Sequence, residues 1–179
     1  GFQIKAAADV LIDPITFTNN GSRITAGGDI IVEADDGVTF NGNEEADGDI
    51  IVWADSNADG TGTFTQDSGT VLANFGGIMI AAADIVIDDA ATAGTVNSFS
   101  AGGNVANTDQ PPGGNDGDST SVALLASNDI TINAPITASG NVIINADANL
   151  TEVLNWPAPI SGTADEPVAD GVGDVLINS

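Results

Sequence analysis

The chain has 179 residues, of which 26 are acidic and 2 are basic, and it contains neither His nor Cys. The lack of Cys excludes disulfides, thiolate metal sites and thiol nucleophiles. The shortage of Lys and Arg argues against nucleic-acid partners and anionic membranes, both of which attract basic side chains. No apolar stretch reaches the roughly 18 residues of a membrane span, so no membrane insertion is expected. The hydrophobic content of 42% is too high for a disordered acidic tail, so we predict one folded domain over 1–179.

A short unit recurs along the chain, made of a small residue, an acidic residue and three or four apolar residues. It occurs at 8–12, 28–32 and 48–52, which are 20 residues apart. Later copies contain Asp84, Asp129 and Asp174, and in two further copies Asn104 and Asn141 take the place of the acidic residue. These runs are rich in β-branched residues and bounded by Gly, Asn and Asp, which is typical of strands. No segment sustains a helical period, so the sequence predicts an all-β fold.

The period near 20 residues indicates that each strand stacks on its own copy one turn away. This arrangement is a parallel β-helix, or β-solenoid, with strands about 4.8 Å apart along the axis. A second strand in each turn is predicted at 134–139 and, in the equivalent place of the first turn, at 13–17. Three stretches break the period and are predicted to be loop insertions, at 56–68, 107–119 and 150–171.

A candidate calcium loop follows the third copy of the repeat. Its sequence matches the first half of an Asp-x-Asn-x-Asp-Gly calcium loop, in which alternate oxygen ligands face one concave turn and Gly60 allows the bend. The twelfth position is Gln66 rather than Glu, so a further carboxylate has to come from the preceding turn of the solenoid. A solvated turn without metal is the alternative. The candidate ligands are Asp55, Asn57, Asp59, Thr61 and Asp35.

Other polar and aromatic residues have competing interpretations. Asp9, Asp29 and Asp49 form a row that resembles a set of catalytic carboxylates, but short polar residues that bond the backbone at each corner explain it better. Trp53 and Trp156 are candidates for stacking on a sugar ring, and the alternative is that each covers apolar surface.

Catalysis is not expected from this chain. Lyases built on parallel β-helices abstract a proton with a basic side chain, and here the basic residues are Lys5 and Arg23 alone. A hydrolase needs a pair of carboxylates, one acid and one base, and none of the many Asp residues stands in a distinctive motif. The sequence therefore favours a protein that is not an enzyme.

The repeat resembles a known class of bacterial proteins. Residues 124–133 and 136–146, together with the Gly-Asp-Ile-Ile-Val runs at 28–32 and 48–52, are similar to the repeats of filamentous-haemagglutinin-type exoproteins and giant bacterial surface adhesins. The resemblance implies a right-handed parallel β-helix, export to the cell surface and an adhesive or structural role. The chain would then be a stretch of a repetitive extracellular shaft.

Two functions are consistent with these observations. The first is a structural subunit or shaft segment of a surface fibre that self-associates head to tail, because an uncapped solenoid exposes strand edges and apolar core. The second is an adhesin module whose loops at 107–119 and 150–171 bind a glycan or a cell-surface receptor. Trp53 and Trp156 together on one exposed face would favour binding, and both packed down would favour a passive shaft. Calcium is the expected cation for so acidic a surface.

Overall fold

The computed structural model describes residues 3–88, 98–101, 122–138, 142–146, 148 and 173–178. These ranges contain eighteen strands and no helix. The strands are β1 (Gln3–Ala6), β2 (Val10–Ile12), β3 (Phe17–Asn19), β4 (Arg23–Ala26), β5 (Ile30–Glu33), β6 (Gly37–Phe40), β7 (Asn43–Ala46), β8 (Ile50–Trp53), β9 (Thr63–Gln66), β10 (Thr70–Ala73), β11 (Ile78–Ala82), β12 (Asp84–Ile87), β13 (Ser98–Ala101), β14 (Val122–Ala126), β15 (Ile130–Ile132), β16 (Ile136–Ala138), β17 (Val142–Asn145) and β18 (Val175–Ile177).

Each strand from β1 to β15 pairs with the strand three places further along the chain, and every pair is parallel. The result is three six-stranded sheets: sheet A begins with β1 and β4, sheet B with β2 and β5, and sheet C with β3 and β6. We call each set of three consecutive strands a coil, so that β1–β3 form the first coil and β16–β18 the sixth. The fold is all-β with parallel sheets, which confirms the predicted strand stacking and is consistent with a β-solenoid.

The core lies between the three sheets and is built by alternation along each strand. In β5 and β8 the first and third residues point inward and are fully buried, while the second and fourth face outward. Phenylalanines stack inside sheet C: the ring of Phe40 lies edge-on to those of Phe17 and Phe64, with centroid distances of 6.3 and 5.4 Å. Each buried Ile or Phe side chain contributes about 1.5–3 kcal/mol, so repetition of this pattern stabilises the stack.

The recurring small-Asp unit occupies two different sheets, which the sequence did not indicate. The units at Asp9, Asp29 and Asp49 precede strands of sheet B, whereas those at Asp84, Asp129 and Asp174 lead into strands of sheet C. The expectation that all of them stack in one column is therefore wrong. Asp suits either corner because its short side chain accepts a backbone hydrogen bond from the next coil at both.

Two further expectations need correction. Within the loop predicted at 56–68, β9 pairs with β6 and β12, because its alternating Thr-Phe-Thr-Gln sequence buries Phe64. A strand is confirmed at β16 within 134–139, but it belongs to sheet A, whereas β3 belongs to sheet C. Thus 13–17 and 134–139 are not equivalent. The other two predicted loops, 107–119 and 150–171, lie outside the described residues.

Among the residues that the structure describes, no helix has the length and hydropathy to cross a bilayer.

Candidate functional site

Aspartate ladders run along two corners of the molecule. At the corner before sheet B, Asp9 Oδ1 accepts a hydrogen bond from the backbone N of Asp29 at 3.0 Å. Asp29 Oδ1 accepts one from the N of Asp49 at 2.8 Å, and Asp49 Oδ1 accepts one from the N of Gly77 at 2.8 Å. Each carboxylate thus joins its own coil to the next one, which is the corner-bonding role predicted for these residues.

A second ladder stands at the corner before sheet C in the last three coils. Asp84 Oδ1 accepts a hydrogen bond from the N of Asp129 at 3.1 Å, and Asp129 Oδ1 accepts one from the N of Asp174 at 3.0 Å. The ladder before sheet B explains why Gly precedes Asp29 and Asp49. A Cβ atom on Gly48 would lie 2.0 Å from Asp29 Oδ1, so the laddered carboxylate occupies the space of a side chain.

The predicted calcium loop is a turn held by Asp55. Its Oδ1 accepts a hydrogen bond from the N of Asp59 and its Oδ2 accepts one from the N of Gly60, both at 3.0 Å. Burial raises the pKa of Asp55, the two backbone hydrogen bonds lower it, and the charges of Asp59 and Asp36 raise it further. Both oxygens of this carboxylate therefore already have donors from the loop itself.

The remaining candidate ligands also take part in hydrogen bonds within the turn. Asn57 Oδ1 accepts from the N of Asp59 at 3.1 Å, and Asp59 Oδ1 accepts from the N and Oγ1 of Thr61 at 3.1 and 2.6 Å. From the preceding coil, Asp35 Oδ1 accepts from Ser56 Oγ at 2.7 Å. The described part of the chain contains no group of three or more acidic side chains placed to hold a metal ion. Calcium binding stays a prediction, and the hydrogen bonds alone account for the turn.

Replacing Asp55 distinguishes a structural role of this turn from a calcium-binding role. We expect Asp55→Ala to lower the free energy of unfolding by about 2–3 kcal/mol, because two loop N–H groups lose their acceptor. Urea unfolding followed by circular dichroism measures the loss. The same melts in 2 mM calcium or in chelator test the metal: a higher Tm in calcium that Asp55→Asn removes would support binding. Identical melting in both solutions would leave the turn with a structural role alone.

Trp53 lies on the outer face of sheet B, in register with Glu33 and Ala81. It is partly buried and packs against an outer cluster that includes Ala81, Leu125 and Ala148. Its indole Nε1 is buried and has no hydrogen-bond partner among the residues that the structure describes. This packing covers apolar surface, and sugar stacking by Trp53 stays a prediction. Trp156, the other predicted aromatic contact, lies outside the described residues.

A buried polar corner joins sheets C and A, and sequence reasoning missed it. Glu44 is fully buried, and its Oε1 accepts a hydrogen bond from Asn19 Nδ2. Burial raises the pKa of Glu44 to about 8, although the Asn19 hydrogen bond lowers it in part. Gln66, in the same coil as Glu44, is also buried and donates from Nε2 to the carbonyl oxygen of Gly69 at 3.2 Å. Within the described part of the chain, Glu44 Oε2 and Gln66 Oε1 are both buried without a hydrogen-bond partner.

One signal in the sequence could have revealed this corner. Glu44 stands opposite Ile24 and Val71 in sheet A, both of which are fully buried core residues. Residues 23–26 and 43–46 are 20 apart, so the same period that aligned sheet B places a carboxyl where the neighbouring copy has isoleucine. A carboxyl of raised pKa at such a position is protonated at neutral pH and can donate a hydrogen bond.

A shallow, open groove of about 240 Å³ lies outside this corner. It is lined by turn residues 21–23, 41–43 and 68–69. The one charged side chain in its lining is Arg23, which forms an ion pair with Glu45. The other side chains in its lining belong to Gly, Ser and Asn residues, which do not titrate near neutral pH.

Comparison with known proteins adds no relative to these observations. No protein-family model, no curated protein and no solved structure matches this chain. The resemblance of its repeats to those of filamentous-haemagglutinin-type exoproteins therefore rests on the residues themselves.

Proposed function

We propose that this chain is a non-enzymatic structural segment of an extracellular fibre on a bacterial surface, in which coils continue end to end. The proposal includes a right-handed winding, because parallel crossovers are right-handed in nearly all known cases. It also includes a minimal coil length of about 20 residues, in keeping with the register of Gln3 with Arg23 and of Arg23 with Asn43. Longer coils then carry insertions at the corners.

The observation that carries the proposal is the exposure of apolar side chains at core positions of the sixth coil. Val175 and Ile177 of β18 stand opposite Ile130 and Ile132 of β15, which are 0% and 3% exposed. Val175 and Ile177 are themselves 44% and 60% exposed. Exposed apolar side chains on unpaired strand edges favour the addition of another strand. A further coil, from a second copy or from adjoining chain, would bury both residues.

The other end of the stack supports the same interpretation. Ile4 of β1 is partly exposed, whereas its register partner Ile24 is fully buried. Strands β1, β2 and β3 are the first members of their sheets, and each presents one backbone edge in the axial direction. A coil whose core residues continue the column would pair with all three edges at once.

The side walls suit a fibre that stays separate from its neighbours. A formal net charge of -24 repels other copies laterally, whereas the apolar ends attract each other. Calcium is the cation that we propose for this acidic surface. The absence of His and the presence of two basic residues in the whole sequence support a role without catalysis.

End-to-end stacking predicts that a charge at one core position of β18 stops assembly. We expect the chain to form long fibres by electron microscopy, and Ile177→Lys to leave single short rods, since a buried ammonium would face the added coil. Leu176→Lys is the matched control: this side chain is the outward neighbour on the same strand, opposite Thr131, and should leave fibre length unchanged.

Circular dichroism of both variants checks that the coils remain folded. Fibres of normal length from Ile177→Lys would contradict stacking through this end. Single rods from the unaltered chain at high concentration and 0.5 M salt would contradict self-association, and a glycan screen would then test the adhesin alternative.

A further inference from the structure

The outer face of sheet B differs in chemistry from those of the other two sheets. One outward residue from each of its six strands lies in a continuous register column, and all six are apolar. They are Leu11, Ile31, Ile51, Met79, Ala123 and Ile143. The corresponding column of sheet C begins with Thr18, Thr39 and Thr65. An apolar row on the outside of an acidic protein needs an explanation, because solvent-facing strand positions are ordinarily polar.

The apolar column is covered over one part of its length and open over another. Met79 and Ala123, in the fourth and fifth coils, are 9% and 1% exposed although they face outward. Leu11 is 67% exposed, and Ile31 and Ile51 are partly exposed between their ladder neighbours. We call Leu11, Ile31 and Ile51 the open stripe. It continues a surface that is already buried further along the molecule.

Acidic residues border the open stripe on both sides. Asp9, Asp29 and Asp49 stand where the strands of sheet B begin. At the other side are the exposed Asp13 and the partly exposed Glu33. A second copy laid face to face on this stripe would bring like charges together, which is unfavourable.

The basic residues of the chain cannot relieve this repulsion. Lys5 and Arg23 both lie in sheet A, on β1 and β4, and Arg23 pairs with Glu45. The complementary occupant therefore has an apolar row flanked by cations, and it has to come from a different protein.

We propose that the open stripe binds an amphipathic helix of a partner protein, with its apolar side against Leu11, Ile31 and Ile51 and with Lys or Arg along both edges. The spacing favours a helix that lies along the axis of the stack. Stacked strands are about 4.8 Å apart and a helix rises 5.4 Å per turn, so one apolar residue per turn meets each coil. An extended peptide presents same-side residues about 6.6 Å apart and loses this match.

This helix site is separate from the proposed end-to-end assembly, because it lies on a side wall and leaves both ends free. Amphipathic helices that dock through residues three and four apart are a common mode of recognition. The site would let a fibre carry a second protein along its length without interrupting the stack.

A synthetic peptide tests the proposal. The probe is an 18-residue Leu/Lys peptide with Leu at positions spaced three and four apart, and its matched control has the same composition in a scrambled order without an apolar face. Isothermal titration calorimetry in 0.15 M NaCl is expected to show at least tenfold tighter binding of the amphipathic peptide. The double variant Ile31→Thr with Ile51→Thr should weaken its binding at least tenfold, and Leu11→Thr alone about threefold.

Val86→Thr on the outer face of sheet C is the control variant and should bind the probe as the unaltered chain does. Threonine is β-branched and suits a strand, and circular dichroism checks each fold. Equal affinity for the scrambled peptide would overturn the proposal, since charge alone would then explain binding. Unchanged affinity in both stripe variants would also overturn it. A dimer in sedimentation that dissociates in the double variant would assign the stripe to a second copy instead.

Discussion

Gly69→Ala is expected to lower the free energy of unfolding by about 3–5 kcal/mol, because strain and a backbone clash act together. Gly69 has a φ of 90°, which L side chains rarely adopt. A Cβ atom there would lie 1.7 Å from the carbonyl oxygen of Gly42 and 2.4 Å from its carbonyl carbon. The obstructing atoms are backbone of the neighbouring coil, so no side-chain rotation can relieve the contact.

Gly60→Ala is the matched control for this change. Gly60 has a similar φ of 83°, but a Cβ atom on it would meet no atom within 4 Å. Its substitution should cost about 1–2 kcal/mol, which is the penalty of the left-handed conformation alone. Urea unfolding by circular dichroism measures both, and equal losses would show that the coils at the Gly42–Gly69 corner separate readily.

The strands of sheets B and C were predictable where apolar alternation and corner chemistry coincide. Asp29 followed by Ile30 and Val32 shows the small-Asp corner, the buried positions and the outward positions within one short run. The 20-residue period then gave the parallel stacking of Ile30 on Ile50. Register in such a stack follows from burial, because a slip of one residue would turn the isoleucine out of the core.

Apart from β16, which lies within the strand predicted at 134–139, sheet A was not predicted, because its strands carry weaker patterns. The sequence of β7 is Asn-Glu-Glu-Ala, which reads as a solvated segment until Glu44 is aligned with the buried Ile24. The two-sheet distribution of the small-Asp unit was also hidden. The pairing of β12 with β9, rather than with β8, shows that Asp84 does not continue the column of Asp49.

Some of the candidate sites could be predicted from the sequence and others could not. The turn at Asp55 could be predicted because local sequence determines it. The corner role of the Asp9–Asp29–Asp49 row could be predicted because the 20-residue period aligns these residues. The contact of Asn19 with Glu44 could not, because it joins different sheets of different coils. The open stripe could not be predicted either, because the sequence alone does not show which face of each strand points outward.

Stability is expected to fall as the pH rises from about 4.5 to about 8, owing to Glu44. Its pKa is raised from 4.5 to about 8 in the folded chain. Between these values the unfolded chain has released the proton and the folded chain keeps it, so the unfolded state binds fewer protons and rising pH favours unfolding. At 1.36 kcal/mol per pH unit, the loss from this one group reaches about 5 kcal/mol at most. The raised pKa values of Asp49 and Asp55 act in the same direction.

Glu44→Gln isolates this contribution. The amide is neutral at every pH, accepts from Asn19 as the acid does, and supplies an N–H donor where the protonated carboxyl has its O–H. We expect the variant to match the unaltered chain near pH 5 and to exceed it by several kcal/mol at pH 8. Urea unfolding from pH 5 to 8 measures both curves.

Glu45→Gln is the control for the pH dependence, because Glu45 is the next residue on β7, partly exposed and paired with Arg23. Its curve should run parallel to that of the unaltered chain. If Glu44→Gln also ran parallel, the carboxyl would be ionised in the folded state and its burial between Ile24 and Val71 would be wrong. A flattened curve for Glu44→Gln alone would mean that a buried, protonated glutamic acid makes this stack more stable in mild acid than in alkaline solution.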